Sequence, residues 1–295
     1  MRVLSVLSSK GGVGKTVTSL SLAVTLAAQG CKTLLVDADG SATASSFFRS
    51  FDELPDGSDG CCGIYDVLFH ECRAVDAARE VRLNLALLAS DPRMMKVDAA
   101  LLRQPAADLL LARALRNVAA GEFEYAIVDT PGVWGGMVQN AVLASSHLIV
   151  PVNSEQMAYD IAVDTLSYVL NQMDAYERPC PQFRVLLTAY RETNACRDIA
   201  ELALQTWPQN LFETRVRFTE EVKRLSADRK TIGDRKSATL REDYNNTAKE
   251  IISWLTTPTA QTRKPRRVAV KTGKPKTGKP KTGKTRTKAI GVTAA

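Results

Sequence analysis

Two lysines, Lys10 and Lys15, flank three glycines in the stretch SSKGGVGKT, residues 8–16. An ammonium can neutralise phosphate charge, and Gly11, Gly12 and Gly14 let the backbone turn its N–H groups around β- and γ-phosphate oxygens. The Thr16 hydroxyl, next to Lys15, is placed to ligate Mg²⁺. The general phosphate-loop pattern is missed by one residue, because Ser9 stands where glycine is expected. Two apolar runs further on end in carboxylates: TLLVDADG (33–40) with Asp37 and Asp39, and YAIVDTPG (125–132) with Asp129. Carboxylates at the carboxyl ends of buried parallel strands lie where open sheets bind their ligands, and they can hold the water shell of a metal ion. Taken singly, each stretch could be a turn; for Asp37 a turn-capping role fits better than it does for Asp39. Together and in this order they describe a site for phosphoryl transfer to water, a reaction driven by positioning and charge neutralisation.

These residues need strands to carry them. Short apolar, β-branched runs at 3–7, 33–36, 83–88, 125–128, 148–152 and 183–188 alternate with helical spacing at 16–29, 93–119, 137–145, 157–174 and 195–206. That alternation predicts an α/β fold, one doubly wound, mostly parallel sheet with helices on both faces. Residues 52–63 are dense in turn formers and read as a surface loop. The stretch 219–257 reads as mainly helical, with a final helix near 243–255 packing Ile251, Ile252, Trp254 and Leu255 on the body.

The chain of 295 residues is 45% hydrophobic, enough for a sizeable core. No charged start with an apolar h-region and no run long enough to span a bilayer is visible, so a cytoplasmic protein is expected. Six cysteines without a CxxC pair, and two histidines, point to reduced thiols rather than a zinc site. The net charge of +7 is divided unevenly: twelve Lys or Arg and no acid follow position 262, leaving 27 basic against 32 acidic groups before it, a net of −5. The repeats KTGKP, KTGKP and KTGKT (271–285) contain no large apolar side chain and cannot offset their own ordering entropy. Two parts are therefore expected: a folded domain at 1–257 and a disordered basic tail at 258–295.

KGGVGKT resembles the deviant Walker A box of the ParA/MinD family of P-loop ATPases, and the resemblance runs from residue 1 to about 256. It implies an ATP- and Mg²⁺-dependent ATPase whose nucleotide lies on Lys10, Gly11, Gly12, Val13, Gly14, Lys15, Thr16 and Val17. Lys10 matches the family's signature lysine, which reaches across an ATP-dependent homodimer to the partner's nucleotide. Asp39 matches the aspartate that orients the attacking water and helps hold the Mg²⁺ shell, although Gly40-Ser41 replaces the usual Pro-Gln. Asp129 resembles a Walker B acid, followed by a γ-phosphate-sensing loop at Thr130-Pro131-Gly132. Lys10, Lys15 and Asp39 are thus the candidate catalytic residues, and Thr16, Asp39 and Asp129 the metal-site residues. No strong general base is visible near the loop, so slow turnover is expected.

By the same resemblance, the partitioning branch implies nonspecific double-stranded DNA and a ParB-like centromere-binding protein as partners. Arg191 lies near the position of a DNA-contacting arginine, and Val216-Arg217-Phe218 replaces the usual Ile-Pro-Arg. Arg215, Arg217, Lys223, Arg224, Arg229, Lys230, Arg235 and Lys236 form either a DNA surface or an ordinary solvated face, acids being interspersed. The tail, with Lys271, Lys274, Lys276, Lys279 and Lys281, favours DNA through counterion release, a solubilising or RNA-binding tail being the other reading. Its composition offers nothing to insert into lipid, so membrane attachment is not expected and nucleoid association is. Two alternatives stand beside segregation: a positioning ATPase for a non-DNA cargo that uses the nucleoid as its track, and a redox ATPase resembling the nitrogenase iron protein.

Overall fold

The computed structural model describes residues 1–48, 62–116, 118, 121–234 and 238–256. They belong to a compact unit spanning Met1–Thr257. Arg235, Lys236, the basic tail and most of the 52–63 loop lie outside the described residues; Gly63, at the end of that loop, is buried.

Seven strands form the sheet: β1 (Arg2–Val6), β2 (Thr33–Asp37), β3 (Arg79–Arg82), β4 (Leu85–Leu88), β5 (Tyr125–Asp129), β6 (His147–Asn153) and β7 (Gln182–Thr188). Their order is β3-β4-β2-β5-β1-β6-β7, and all neighbours are parallel except the β3/β4 pair. Parallel strands buried on both faces read as continuous apolar runs, which is why six of the seven are visible in the sequence. The seventh, β3, is half-exposed and charged, and it pairs antiparallel at the edge. The expected strand at 83–88 is accordingly shortened: Leu83 is 80% exposed and Asn84 takes a left-handed φ of 61°, so both belong to the hairpin turn.

On one face lie α1 (Lys15–Ala28), α9 (Glu221–Ala227) and α10 (Ala238–Thr256), packed on Leu4, Val6, Leu35 and Ile127. The other face, through Val3, Leu34, Val36 and Val128, carries α2 (Ile64–Leu68), α4 (Val97–Leu101), α5 (Leu110–Arg116) and α6 (Gly136–Ala144). The short α3 (Ala74–Ala77) precedes β3, while α7 (Gln156–Ala175) and α8 (Asn194–Thr206) pack over β6 and β7. The single helix expected at 93–119 is broken. A 3-10 turn at Pro92–Lys96 leads into α4, and a second at Ala107–Leu109 leads into α5. Pro105 and a left-handed Ala106, φ 52°, separate the two helices. The described residues of 219–257 are mainly helical, as expected, in two pieces: the seven-residue α9 and α10, which begins at Ala238 rather than near 243.

An ionic cluster ties α2 to the end of β4. The Arg93 guanidinium donates to Asp66 at 2.7 and 2.8 Å and to Asp91 at 3.0 Å, and it lies over the Tyr65 ring. Asp91 is fully buried and Asp66 nearly so. Burial pushes the Asp66 carboxyl up, but Arg93 and the Gly63 amide outweigh it and hold it below the usual range. An exposed ion pair is worth about 0–1 kcal/mol, whereas removing one partner of a buried pair costs about 3–5. With both acids buried and Arg93 partly exposed, Arg93→Ala is expected to cost about 2–4 kcal/mol by urea unfolding at pH 7. Because the Asp66 carboxyl is lowered on folding, its contribution is complete above about pH 4 and fades as pH falls through the folded value. The gap between wild type and variant should therefore narrow in acid.

Candidate nucleotide site

The three strand ends that carry the motif residues finish level with one another: Asp37 of β2 is in register with Asp129 of β5, and Asp129 with Val6 of β1. Beyond Val6 the chain forms the glycine loop and enters α1, whose N-cap is Gly14. Gly12 (φ 77°) and Gly14 (φ 88°) are left-handed, a conformation side chains disfavour. Ser9, the departure from the usual pattern, has no such backbone demand; its hydroxyl is exposed towards α7 and accepts from Thr165 at 3.3 Å. The Val13 side chain is buried in the β6/β7 core and its carbonyl accepts from Thr188 at 2.9 Å. Val17 lines a narrow crevice with Phe47, Leu225 and Ile232, so neither valine offers a polar side-chain contact.

Lys15 folds back over the loop, its ammonium 3.1 Å from the Lys10 carbonyl. Burial lowers its pKa against the opposing pull of Asp129 and Asp39. Asp129 is wholly buried; one oxygen accepts from Ser19 at 2.8 Å, and the other has no partner. Burial raises its pKa, with Thr16 and Ser19 hydroxyls acting in the opposite direction. Asp37, raised by burial and by Asp129, spends both oxygens on the following turn, accepting from the Ser45 amide and hydroxyl at 2.7 Å and from the Asp39 amide at 3.2 Å. It is a turn cap, as its sequence position suggests.

Asp39 stands free of the strand, accepting the Ser41 amide at 2.9 Å while its own carbonyl accepts from Ser90 at 2.7 Å. A Cβ on Gly40 would sit 2.7–2.9 Å from backbone atoms of Met94 and Met95, so this turn admits no larger residue without moving that segment. Thr130 spends its hydroxyl on the Val6 carbonyl at 2.7 Å, and a Cβ on Gly132 would be 3.3 Å from the Lys15 ammonium. The loop 130–132 thus closes over the site through its backbone. Lys10 is not a solvated cation: its ammonium pairs with Glu155, the N-cap of α7. Sequence reasoning did not pick out Glu155, Ser19 or Ser90, each of which acquires its role only by contact with a distant segment, nor Ser45, which caps Asp37 from eight positions on.

The cations expected at a DNA surface have varied surroundings. Arg191 is stacked 3.6 Å from the Phe218 ring centroid, and Arg215 lies over Tyr190 at 4.7 Å while donating to its hydroxyl. The bridge between Tyr190 and Arg217 sets these segments side by side. Arg217 itself is clamped by Asp243 and Glu242, at 2.6 and 2.7 Å. That makes it a strut for α10, its guanidinium held by two acids. Lys223 pairs with Glu220 at 3.2 Å and Arg224 is exposed on α9. Lys271, Lys274, Lys276, Lys279 and Lys281 lie outside the described residues.

A glycine loop between a central parallel strand and a helix, with acids at the ends of the next two strands on one side, defines a P-loop nucleotide-binding protein. An AAA domain family model matches residues 1–178. The chain is 30% identical over 199 residues to the chromosome partitioning protein ParA of Caulobacter vibrioides, covering 66% of this chain and 72% of that protein. It is 27% identical over 215 residues to ParA of Myxococcus xanthus, covering 72% and 74% respectively. The chain belongs to the ParA/MinD family of P-loop ATPases. Solved structures share the fold: a plasmid partition protein from Borrelia burgdorferi bound to AMPPNP (TM-score 0.70, 21% identity, 85% of this chain and 99% of that one). A complex of Cyanothece McdA with ATP aligns at a TM-score of 0.75 with 17% identity, over 86% of this chain and 96% of that one.

Since Asp39 is placed by a turn that excludes a Cβ, Gly40→Ala is expected to lower ATP turnover by up to about a hundredfold, the loss that a displacement near 1 Å can cause in a positioned site. Nucleotide affinity, measured by fluorescent-analogue titration, should change less than threefold because the glycine loop is untouched.

Proposed function

We propose that this ATPase segregates DNA: ATP and Mg²⁺ drive a face-to-face homodimer, the dimer binds double-stranded DNA without sequence preference, and a ParB-like partner stimulates slow hydrolysis. The observation that carries the reading is the meeting of Lys10, Lys15, Asp39 and Asp129 at one sheet edge. Lys15 serves the protomer's own phosphates, and Lys10, released from Glu155, serves the partner's. The unpartnered Asp129 oxygen and the neighbouring Thr16 hydroxyl form an oxygen donor set that fits Mg²⁺, with Asp39 towards the attacking water. Mg²⁺ would neutralise charge on the β- and γ-phosphate oxygens. Thr16 and Asp129 hold that side of the site, Asp39 orients the water, and Lys15 offsets charge developing on the phosphoryl group.

Stacked Arg191 and Arg215, with Lys223 and Arg224, make up the proposed DNA surface of the folded part, and the basic tail is proposed to bind DNA in its own right. A guanidinium held on an aromatic ring keeps its edge free for phosphate oxygens. A positioning ATPase is the second reading, supported by likeness to the carboxysome distribution protein of Synechococcus elongatus, 26% identical over 179 residues. The redox alternative requires cysteines beside the Asp39 and Asp129 loops, whereas Cys62 and Cys72 pack around α2 and Cys196 is buried in α8.

Lys15→Ala should abolish nucleotide binding, while Lys10→Ala should bind nucleotide yet remain monomeric on sizing chromatography with a nonhydrolysable ATP analogue. A dimeric Lys10→Ala protein would overturn the cross-protomer role. In the full chain, replacing Lys271, Lys274, Lys276, Lys279, Lys281 and Lys284 by Gln should lower the logarithmic salt slope of duplex binding by up to about five. Basal ATPase should not change, and an unaltered slope would assign DNA binding to the folded surface alone.

A further inference from the structure

Lys10 is held at both ends. Its amide donates to the Ser8 hydroxyl at 3.2 Å, its carbonyl accepts from the Lys15 ammonium at 3.1 Å, and its own ammonium pairs with Glu155. Among the described residues it pairs with no other acid. The Lys10 side chain is only 15% exposed against 61% for Glu155, so the cation is drawn inward while the carboxylate stands at the rim.

The Glu155 carboxylate has no part in starting α7. The residue is extended, with φ −124°, and its side chain makes no cap hydrogen bond. Its carbonyl, rather than its carboxylate, accepts the Ala158 and Tyr159 amides at 3.0 and 3.2 Å. The two lysines, in turn, are linked through the Lys10 peptide unit. Phosphates entering the glycine loop draw the Lys15 ammonium off the Lys10 carbonyl and remove one hold. The hold by Glu155, at the far end of the side chain, remains.

We propose that Glu155 is a positioning residue that stores Lys10 inside its own protomer and so sets the threshold for nucleotide-driven dimerisation. This rests on the ATP-dependent dimer of the preceding subsection. A protomer whose Lys10 is stored cannot lend it, so dimer affinity is reduced by the fraction of protomers with Lys10 free. A solvent-accessible pair is worth up to about fivefold, and a dimer that needs both lysines is opposed up to about 25-fold. The opposition is the same whichever nucleotide is bound. Only the γ-phosphoryl group, which adds negative charge where the partner's Lys10 arrives, overcomes it; the diphosphate stays below the threshold.

The test is sedimentation of the full chain over a protein concentration series, with Mg²⁺ and either a nonhydrolysable ATP analogue or ADP. Glu155→Gln and Glu155→Ala are each expected to lower the half-dimerisation concentration with the analogue by about 2- to 25-fold. With ADP, the small dimer fraction at a fixed protein concentration should rise by a similar factor. Lys10→Ala/Glu155→Gln should stay as monomeric as Lys10→Ala, because the carboxylate acts through the lysine. A wild-type dimer whose half-point neither Glu155 variant shifts overturns the threshold and leaves the dimer reading intact. No wild-type dimer with the analogue overturns both. A double variant that dimerises better than Lys10→Ala shows direct repulsion by the carboxylate, and tighter nucleotide binding by the monomeric variant shows Lys10 serving its own phosphates; either overturns the storage role.

Discussion

Two buried carboxylates and one buried ammonium meet at the carboxyl edge of the sheet, and the rest of the molecule is arranged around the cost of keeping them there. Asp37 and Asp129 are both removed from water and adjacent in register, so each opposes ionisation of the other. The fold answers with unequal hydrogen bonding. Asp37 is satisfied by the Ser45 turn, whereas Asp129 keeps one oxygen unpaired beside Lys15 and Thr16. A buried oxygen without a partner is costly in the resting protein and is suited to a ligand that brings positive charge.

That inequality separates structural from functional acids. Asp37 builds the turn; the turn places Asp39; and Ser90, Ser45 and the backbone of 94–95 hold that placement from the β4 side. The Gly40-Ser41 departure from the family's Pro-Gln has a local cause here, because the neighbouring backbone occupies the space a side chain would need. Ser9 is a different kind of departure. Its hydroxyl faces outward, so the loop keeps its course without the first glycine.

The same helix pair connects the site to the far edge of the molecule. Both α1 and α10 run from the mouth of the site to the opposite edge, joined by a buried seam that includes Leu22, Leu26, Tyr244, Ala248 and Ile251. Arg217, bound by Asp243 and Glu242, fixes the mouth end of α10 beside the segment that carries Arg215 and Phe218. Position along α10 therefore translates directly into distance from the nucleotide.

Local chemistry was enough to reveal the glycine loop, both acid-ended strands and six of the seven strands, because a parallel strand covered on two sides has to be apolar throughout and a phosphate cradle needs glycines in fixed places. The same one-dimensional reading identified the basic tail, since composition alone separates it from an acidic body. Other assignments required the folded chain. The charged edge strand β3 carries no apolar run, and the break between α4 and α5 depends on a backbone turn at Ala106. Which acid holds Arg217, whether Lys10 is solvated or paired with Glu155, and which Asp129 oxygen stays open are set by partners from 26 to 145 positions away. Residue type and spacing state what a side chain can do; only packing in three dimensions determines which neighbour has already engaged it.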